Sequence, residues 1–128
     1  AGGLVEGLSE GSVVLGCTTV SADYARSIGM RLATQGILYL DAPISGGSIK
    51  SAKGELSVMA SGSPKAFEKA APLLDAIAEK VFRLGDDIGQ GSTMKMVNQL
   101  LAGVHIASAM EALSLVIRCG FDAENFFK

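Results

Sequence analysis

Apolar and polar positions change period several times along the chain, and each change marks an element. Val13-Val14-Leu15-Gly16-Cys17-Thr18 is an apolar run bounded by turn residues, the pattern of a short strand covered on both faces. From about Ala22 to Gln35, Tyr24, Ile28 and Leu32 recur at helical spacing, with Ser21 placed as N-cap and Gly36 as the stop. Ile37 to Leu40 reads as a second buried strand, left by Asp41-Ala42-Pro43-Ile44-Ser45-Gly46-Gly47. Strand, helix and strand in this order describe a crossover unit of a parallel sheet. Upstream, Leu4 to Leu8 fits the end of a helix closed by Ser9-Glu10-Gly11.

Leu56-Ser57-Val58-Met59-Ala60 is a third candidate strand. Gly62-Ser63-Pro64 then supplies an N-cap with proline at the first helical position, so a helix is expected from Pro64 to about Lys80. Phe67, Ala71, Leu74, Ile77 and Ala78 form its apolar stripe, and Pro72 is expected to kink or divide it. Val81 to Leu84 is a short strand, Gly85 to Gly89 a loop. A long helix follows from about Thr93 to Arg118, with Gly120 as its cap. At ~1.5 Å per residue it is roughly 39 Å long, more than the width of a compact domain of this size. Between Met94 and Ile117 its only formal charges are Lys95 and Glu111, but Asn98, Gln99, His105, Ser108 and Ser114 are spaced through it, which disfavours a membrane span. A helix apolar on nearly all sides is packed on all sides, here against a second domain or another copy. Asp122 opens one more helical turn, Ala123 to Phe127.

With 128 residues, 48% hydrophobic and 19% charged, the chain can bury one core. A net charge of -2 from 13 acidic and 11 basic residues leaves no basic stripe for nucleic acid and no polybasic arm for a membrane. Cys17 and Cys119 share no metal-ligand spacing and read as core thiols of a reducing, intracellular compartment, in keeping with the cytoplasm. No secretory signal opens the chain, and Ala1-Gly2-Gly3-Leu4 reads as the interior of a larger protein.

The candidate chemistry centres on Gly89-Gln90-Gly91-Ser92-Thr93-Met94-Lys95-Met96-Val97-Asn98. With Ser92 or Thr93 as N-cap, Lys95 lies in the first helical turn, where unpaired amides disfavour a cation by roughly 0.3–1 kcal/mol. That end and an apolar neighbourhood both favour the neutral amine, the form in which a lysine serves as acid or base. Asn98 shares its helix face. Ligands of open α/β sheets bind beyond the carboxyl ends of the strands, where Thr18 to Ser21 and Ser45 to Gly47 fall. Two glycines allow close backbone approach and a concavity for a carboxylate or phosphate; an ordinary glycine turn is the alternative. A phosphate-binding P-loop is not matched. Asp86 and Asp87 read as a solvated turn. His105 reads as a satisfied buried histidine, and Glu111 as a buried hydrogen bond or inter-subunit contact.

Asp41-Ala42-Pro43-Ile44-Ser45-Gly46-Gly47, then Gly54-Glu55-Leu56-Ser57-Val58-Met59, then Gly89-x-Gly91-x-x-x-Lys95-x-x-Asn98-Gln99, resemble in colinear order the β-hydroxyacid dehydrogenase family, near its 3-hydroxyisobutyrate dehydrogenase and tartronate semialdehyde reductase branches. The resemblance implies an α/β fold. Residues 1–90 would be the C-terminal half of a Rossmann-like dinucleotide-binding domain, and 91–128 the long helix that opens an all-α domain. It implies Lys95 as catalytic acid/base, Asn98 as its positioning partner at the substrate, and Ser45, Gly46 and Gly47 as holders of the substrate carboxylate. Thr19 would contact the dinucleotide, NAD or NADP, and Thr18 the substrate side, although the family's Asp-Ser-Ser-Thr is here Gly16-Cys17-Thr18-Thr19. No Gly-x-Gly-x-x-Gly follows a strand, so the resemblance is to an internal piece. A small carboxylate substrate, an oligomer through helix 93–118, and no metal, nucleic acid or membrane partner complete the expectation. A non-catalytic interaction module is the second reading.

Overall fold

The computed structural model describes residues 3–126. They divide into two compact units, Ala1–Met96 and Val97–Lys128.

In the first unit β1 (Val13–Gly16), α1 (Ala22–Ala33) and β2 (Leu38–Asp41) form the expected crossover, with β1 and β2 parallel and Val13 opposite Leu38. Ser21 caps α1, its hydroxyl accepting from Tyr24 N at 3.2 Å. Beyond β2 the sheet becomes mixed. β3 (Ile44–Ser45) and the end of β2 both lie antiparallel along one edge of β4 (Leu56–Ser61), while β5 (Ala78–Gly85) runs parallel along the other. Pro43, which has no amide to donate, sits between β2 and β3 and accepts from Met59 N at 2.9 Å.

Strand alternation sends side chains to two cores. Leu40, Ala42, Val58 and Ala60 meet Ala66, Ala70 and Leu74 of α3 (Pro64–Ile77) on one face. On the other, Ile37 and Tyr39 meet Ala25 and Leu32 of α1.

Several elements depart from the sequence pattern. Residues Leu4–Gly7 form a 3-10 turn rather than an α-helix end. In α1 the buried face is Ala25, Gly29 and Leu32, and Tyr24 is 56% exposed, because the small side chains let the helix approach Tyr39 and Ile88. The same preference turns α3 toward Ala66, Ala70 and Leu74 and leaves Ala71 exposed. Helix α3 stops at Ile77, since Ala78-Glu79-Lys80 are drawn into β5 by pairing with β4, overriding their helix propensity. Pro72 stands inside a single helix, on its exposed side beside Glu68, where the carbonyl it deprives of a partner is within reach of water. A seven-residue helix, α2 (Gly47–Lys53), follows the glycine turn where no element was expected, and is closed by Gly54. Cys17 is half-buried, with burial pushing its thiol pKa up, and Cys119 is exposed rather than in a core.

The long helix α4 (Gln90–Arg118) begins three residues earlier than the sequence suggested. The second unit holds its part from Val97 onward and α5 (Ala123–Phe126), which Asp122 caps by accepting from Glu124 N at 2.9 Å; the expected continuation to Phe127 lies outside the described residues. Leu100, Leu101, Val104, Ile106, Met110 and Leu115 are exposed along it. His105 is exposed rather than buried, and Glu111 is exposed, without the buried hydrogen bond that was one of its two expected roles. By length and composition alone α4 could cross a membrane, with mean hydropathy 1.8 over its most apolar stretch.

Leu40 is completely enclosed between strand and helix. Leu40→Ala is expected to lower unfolding stability by about 2–5 kcal/mol, read from the urea midpoint; a loss below about 1 kcal/mol would contradict this core.

Candidate active site

The start of α4 is fixed by a buried carboxylate. Asp41, the last residue of β2, is 0% exposed. Alternation along β2 puts it on the same side as Tyr39, facing α4. Its Oδ2 accepts from Gly89 N at 3.0 Å and Ser92 N at 2.8 Å, and its Oδ1 accepts from Ser92 Oγ at 2.7 Å. Ser61 Oγ donates weakly to Oδ2 at 3.5 Å and accepts from Gly91 N at 3.0 Å. Thus three amides at the helix start, which have no partner within the helix, are satisfied by two side chains from strand ends. No cation pairs with Asp41 among the described residues; the helix terminus itself supplies the positive partner. Gly91 is needed for this approach, because a Cβ there would collide with the carbonyl oxygens of Met59 and Asp41.

Lys95 therefore stands in the second helical turn, not the first. The helix-end field falls off within the first turn, so what distinguishes Lys95 is burial. It is 7% exposed and makes no hydrogen bond or ion pair among the described residues. Together with Ile44, Ser45, Gly46, Gly47, Ser48, Ser51 and Leu56 it lines a cleft of about 440 Å³. The cleft lies wholly within the first unit.

Opposite Lys95, Gly46 and Gly47 have φ of 138° and 68°, conformations that disfavour side chains, and the space where Gly47 would carry a Cβ is open. Their amides and that of Ser48 lead into α2, whose opening has no side-chain cap. The arrangement pairs a lysine with a turn of available backbone donors, able to hold a small anion while an amine moves a proton.

Lys95, Ser45, Gly46 and Gly47 are thus brought together. Thr18 and Thr19 are exposed in the bend after β1 and do not line this cleft. Asn98 falls in the second unit, three residues beyond Lys95 on α4, and is half-buried. Asp86 accepts from Arg83 at 2.8 Å in an exposed turn. Asp41 and Ser92 were not singled out from sequence as a pair. The available signal was an acid ending an apolar strand immediately before Ala-Pro.

Residues 1–85 match the family model described as the NAD binding domain of 6-phosphogluconate dehydrogenase. Residues 89–128 match that described as the NAD-binding region of NADP-dependent 3-hydroxyisobutyrate dehydrogenase. The chain belongs to the β-hydroxyacid dehydrogenase family. An L-threonate dehydrogenase of Pectobacterium atrosepticum is 53% identical over 111 residues, covering 87% of this chain and 36% of that protein. The solved 3-hydroxyisobutyrate dehydrogenase of Salmonella typhimurium is 47% identical with a TM-score of 0.90, covering 93% of this chain and 42% of that one. Psf3, solved in complex with NADP+ and 2-OPP, is 29% identical with a TM-score of 0.88, over 97% and 43% of the two chains. This chain of the hydroxyacid dehydrogenase family therefore spans about two fifths of the length of the relatives it matches.

The Asp41 charge is also felt by its neighbour. Burial first, then Asp41, with Cys17 and Tyr24 adding, pushes the Tyr39 phenol up to about 12. An unfolded tyrosine loses its proton near pH ~10, so above that pH the unfolded state binds fewer protons and stability falls as pH rises toward 12. Tyr39→Phe is expected to flatten this decline in chemical-denaturation curves between pH 10 and 12; an unchanged decline would show that Tyr39 is not held protonated.

Proposed function

We propose that this chain is part of an NAD(P)-dependent oxidoreductase that interconverts a small β-hydroxy acid and its carbonyl form. One observation carries the reading: a buried lysine, without a side-chain partner among the described residues, shares a cleft with the glycine turn Ser45–Gly47. In the proposed chemistry the turn's amides and the Ser45 hydroxyl hold the substrate carboxylate. Lys95, as its amine, takes the proton from the β-hydroxyl during oxidation and returns it from its ammonium form during reduction. Asn98 is assigned to orienting Lys95 and the substrate. A bound nicotinamide supplies the hydride acceptor or donor. At the carboxyl end of β1 the Thr18 and Thr19 hydroxyls are exposed and make no hydrogen bond among the described residues, which suits contact with NAD or NADP by Thr19 and with substrate by Thr18.

Ser48 and Ser51 add hydroxyls to the same wall of the cleft. They favour an acid carrying further hydroxyl groups, in keeping with the name of the L-threonate dehydrogenase relative. The exposed apolar residues of α4 support its packing against further chain or a second copy, and the balanced charge supports a protein that binds neither nucleic acid nor membrane. A reducing intracellular compartment, the cytoplasm included, is the proposed location.

In the full-length protein, Lys95→Ala is expected to lower turnover of small β-hydroxy acids by about 10²–10⁴-fold, the usual worth of a positioned acid/base. NADH or NADPH binding, followed by fluorescence, should persist. Turnover at the original rate would exclude the acid/base role.

A further inference from the structure

We infer that Asp41 is a positioning residue of this site, setting Lys95 against the glycine turn through the first turn of α4. The inference rests on Lys95 having the role proposed above. Asp41 joins both halves of the site. Its backbone ends β2, from which the chain passes through Ala42-Pro43 directly into Ile44-Ser45 and the turn. Its carboxylate holds Gly89 and Ser92, and Ser92 precedes Lys95 by three residues on one helix. Gly91, close to the carbonyls of Asp41 and Met59 and bonded to Ser61, lets that turn come near enough to the strand ends for the carboxylate to reach both amides.

The two halves depend on Asp41 unequally. The turn is held independently by Ile44 and Ser45 paired with Val58 and Ser57, and by Met59 N donating to Pro43 O. The helix start, in contrast, takes three of its contacts from one carboxylate. Loss of Asp41 therefore displaces the lysine while the carboxylate turn stays in place, and a displacement of order 1 Å is worth about 100-fold in rate. Chemistry should suffer more than binding.

The experiment compares Asp41→Ala, Asp41→Asn, Ser92→Ala and Lys95→Ala in the full-length protein, assayed well below each melting temperature. Asp41→Ala is expected to lower kcat by about 100-fold while KM for the hydroxy acid changes less than about threefold. Asparagine keeps one acceptor oxygen for the two amides, and the Ser92 hydroxyl can reverse to accept from its NH₂, so Asp41→Asn should recover kcat to within about tenfold of wild type. Ser92→Ala, which removes one contact, serves where Asp41→Ala does not fold; it should lower kcat severalfold at unchanged KM and speed hydrogen exchange of the Gly89 and Ser92 amides. If folded Asp41→Ala and Ser92→Ala retain wild-type kcat while Lys95→Ala is inactive, Asp41 serves stability alone and the inference is overturned. If Lys95→Ala is itself fully active, the functional reading fails instead.

Discussion

A buried carboxylate with no cation beside it among the described residues organises this molecule. Asp41 is stabilised by helix amides and hydroxyls, each such charge-assisted hydrogen bond being worth about 1.5–3 kcal/mol. The arrangement is reciprocal. Without α4 the anion would be buried and unpaired, and without Asp41 the helix would begin with orphaned amides against strand ends. Strand β2 and helix α4, 48 positions apart at the Asp41–Gly89 contact, therefore fix each other in place.

That link fixes where Lys95 stands on the sheet. The sheet turns from parallel to antiparallel at Asp41 and Ser61, opposite each other at the strand ends where α4 begins, while the glycine turn leaves from the other end of β4, beyond Ser45 opposite Ser57. The amine of Lys95 and the open space at Gly47 face one cleft because α4, anchored at that corner, carries Lys95 one turn further on, to the Ile44, Ser45 and Leu56 end of β3 and β4. Burial of Lys95, rather than the helix-start field, is what sets it apart from surface lysines.

Much of this was legible in the sequence. Apolar runs at Val13 and Ile37, the Ser21 and Ser63 caps and the proline after Ser63 gave strands and helix starts close to those observed, because these signals are local. What failed was decided by tertiary contact. Helix α3 lost its end to β5 pairing, and of its expected stripe Phe67, Leu74 and Ala78 do pack on the core, but the most buried positions beside Leu74 are Ala66 and Ala70, which allow close approach, and Ala71 is exposed. Helix α2 lacks a side-chain cap and is too short to show a period. Helix α4 starts at Gln90 because its cap is Asp41, nearly fifty residues away, and no local pattern reports such a partner. Lys95 and the glycine turn were legible as motifs that the family resemblance set at one substrate, and the fold adds the cleft that they line together.

The most direct measurement is a crystal structure of the full-length protein with NAD(P)+ and a small β-hydroxy acid bound. The substrate carboxylate is expected on the Gly46 and Gly47 amides and its β-hydroxyl within hydrogen-bond reach of Lys95 Nζ, with Asp41 still bonded to Gly89 and Ser92. A substrate bound away from the glycine turn, or Lys95 turned from the hydroxyl, would contradict the proposed site.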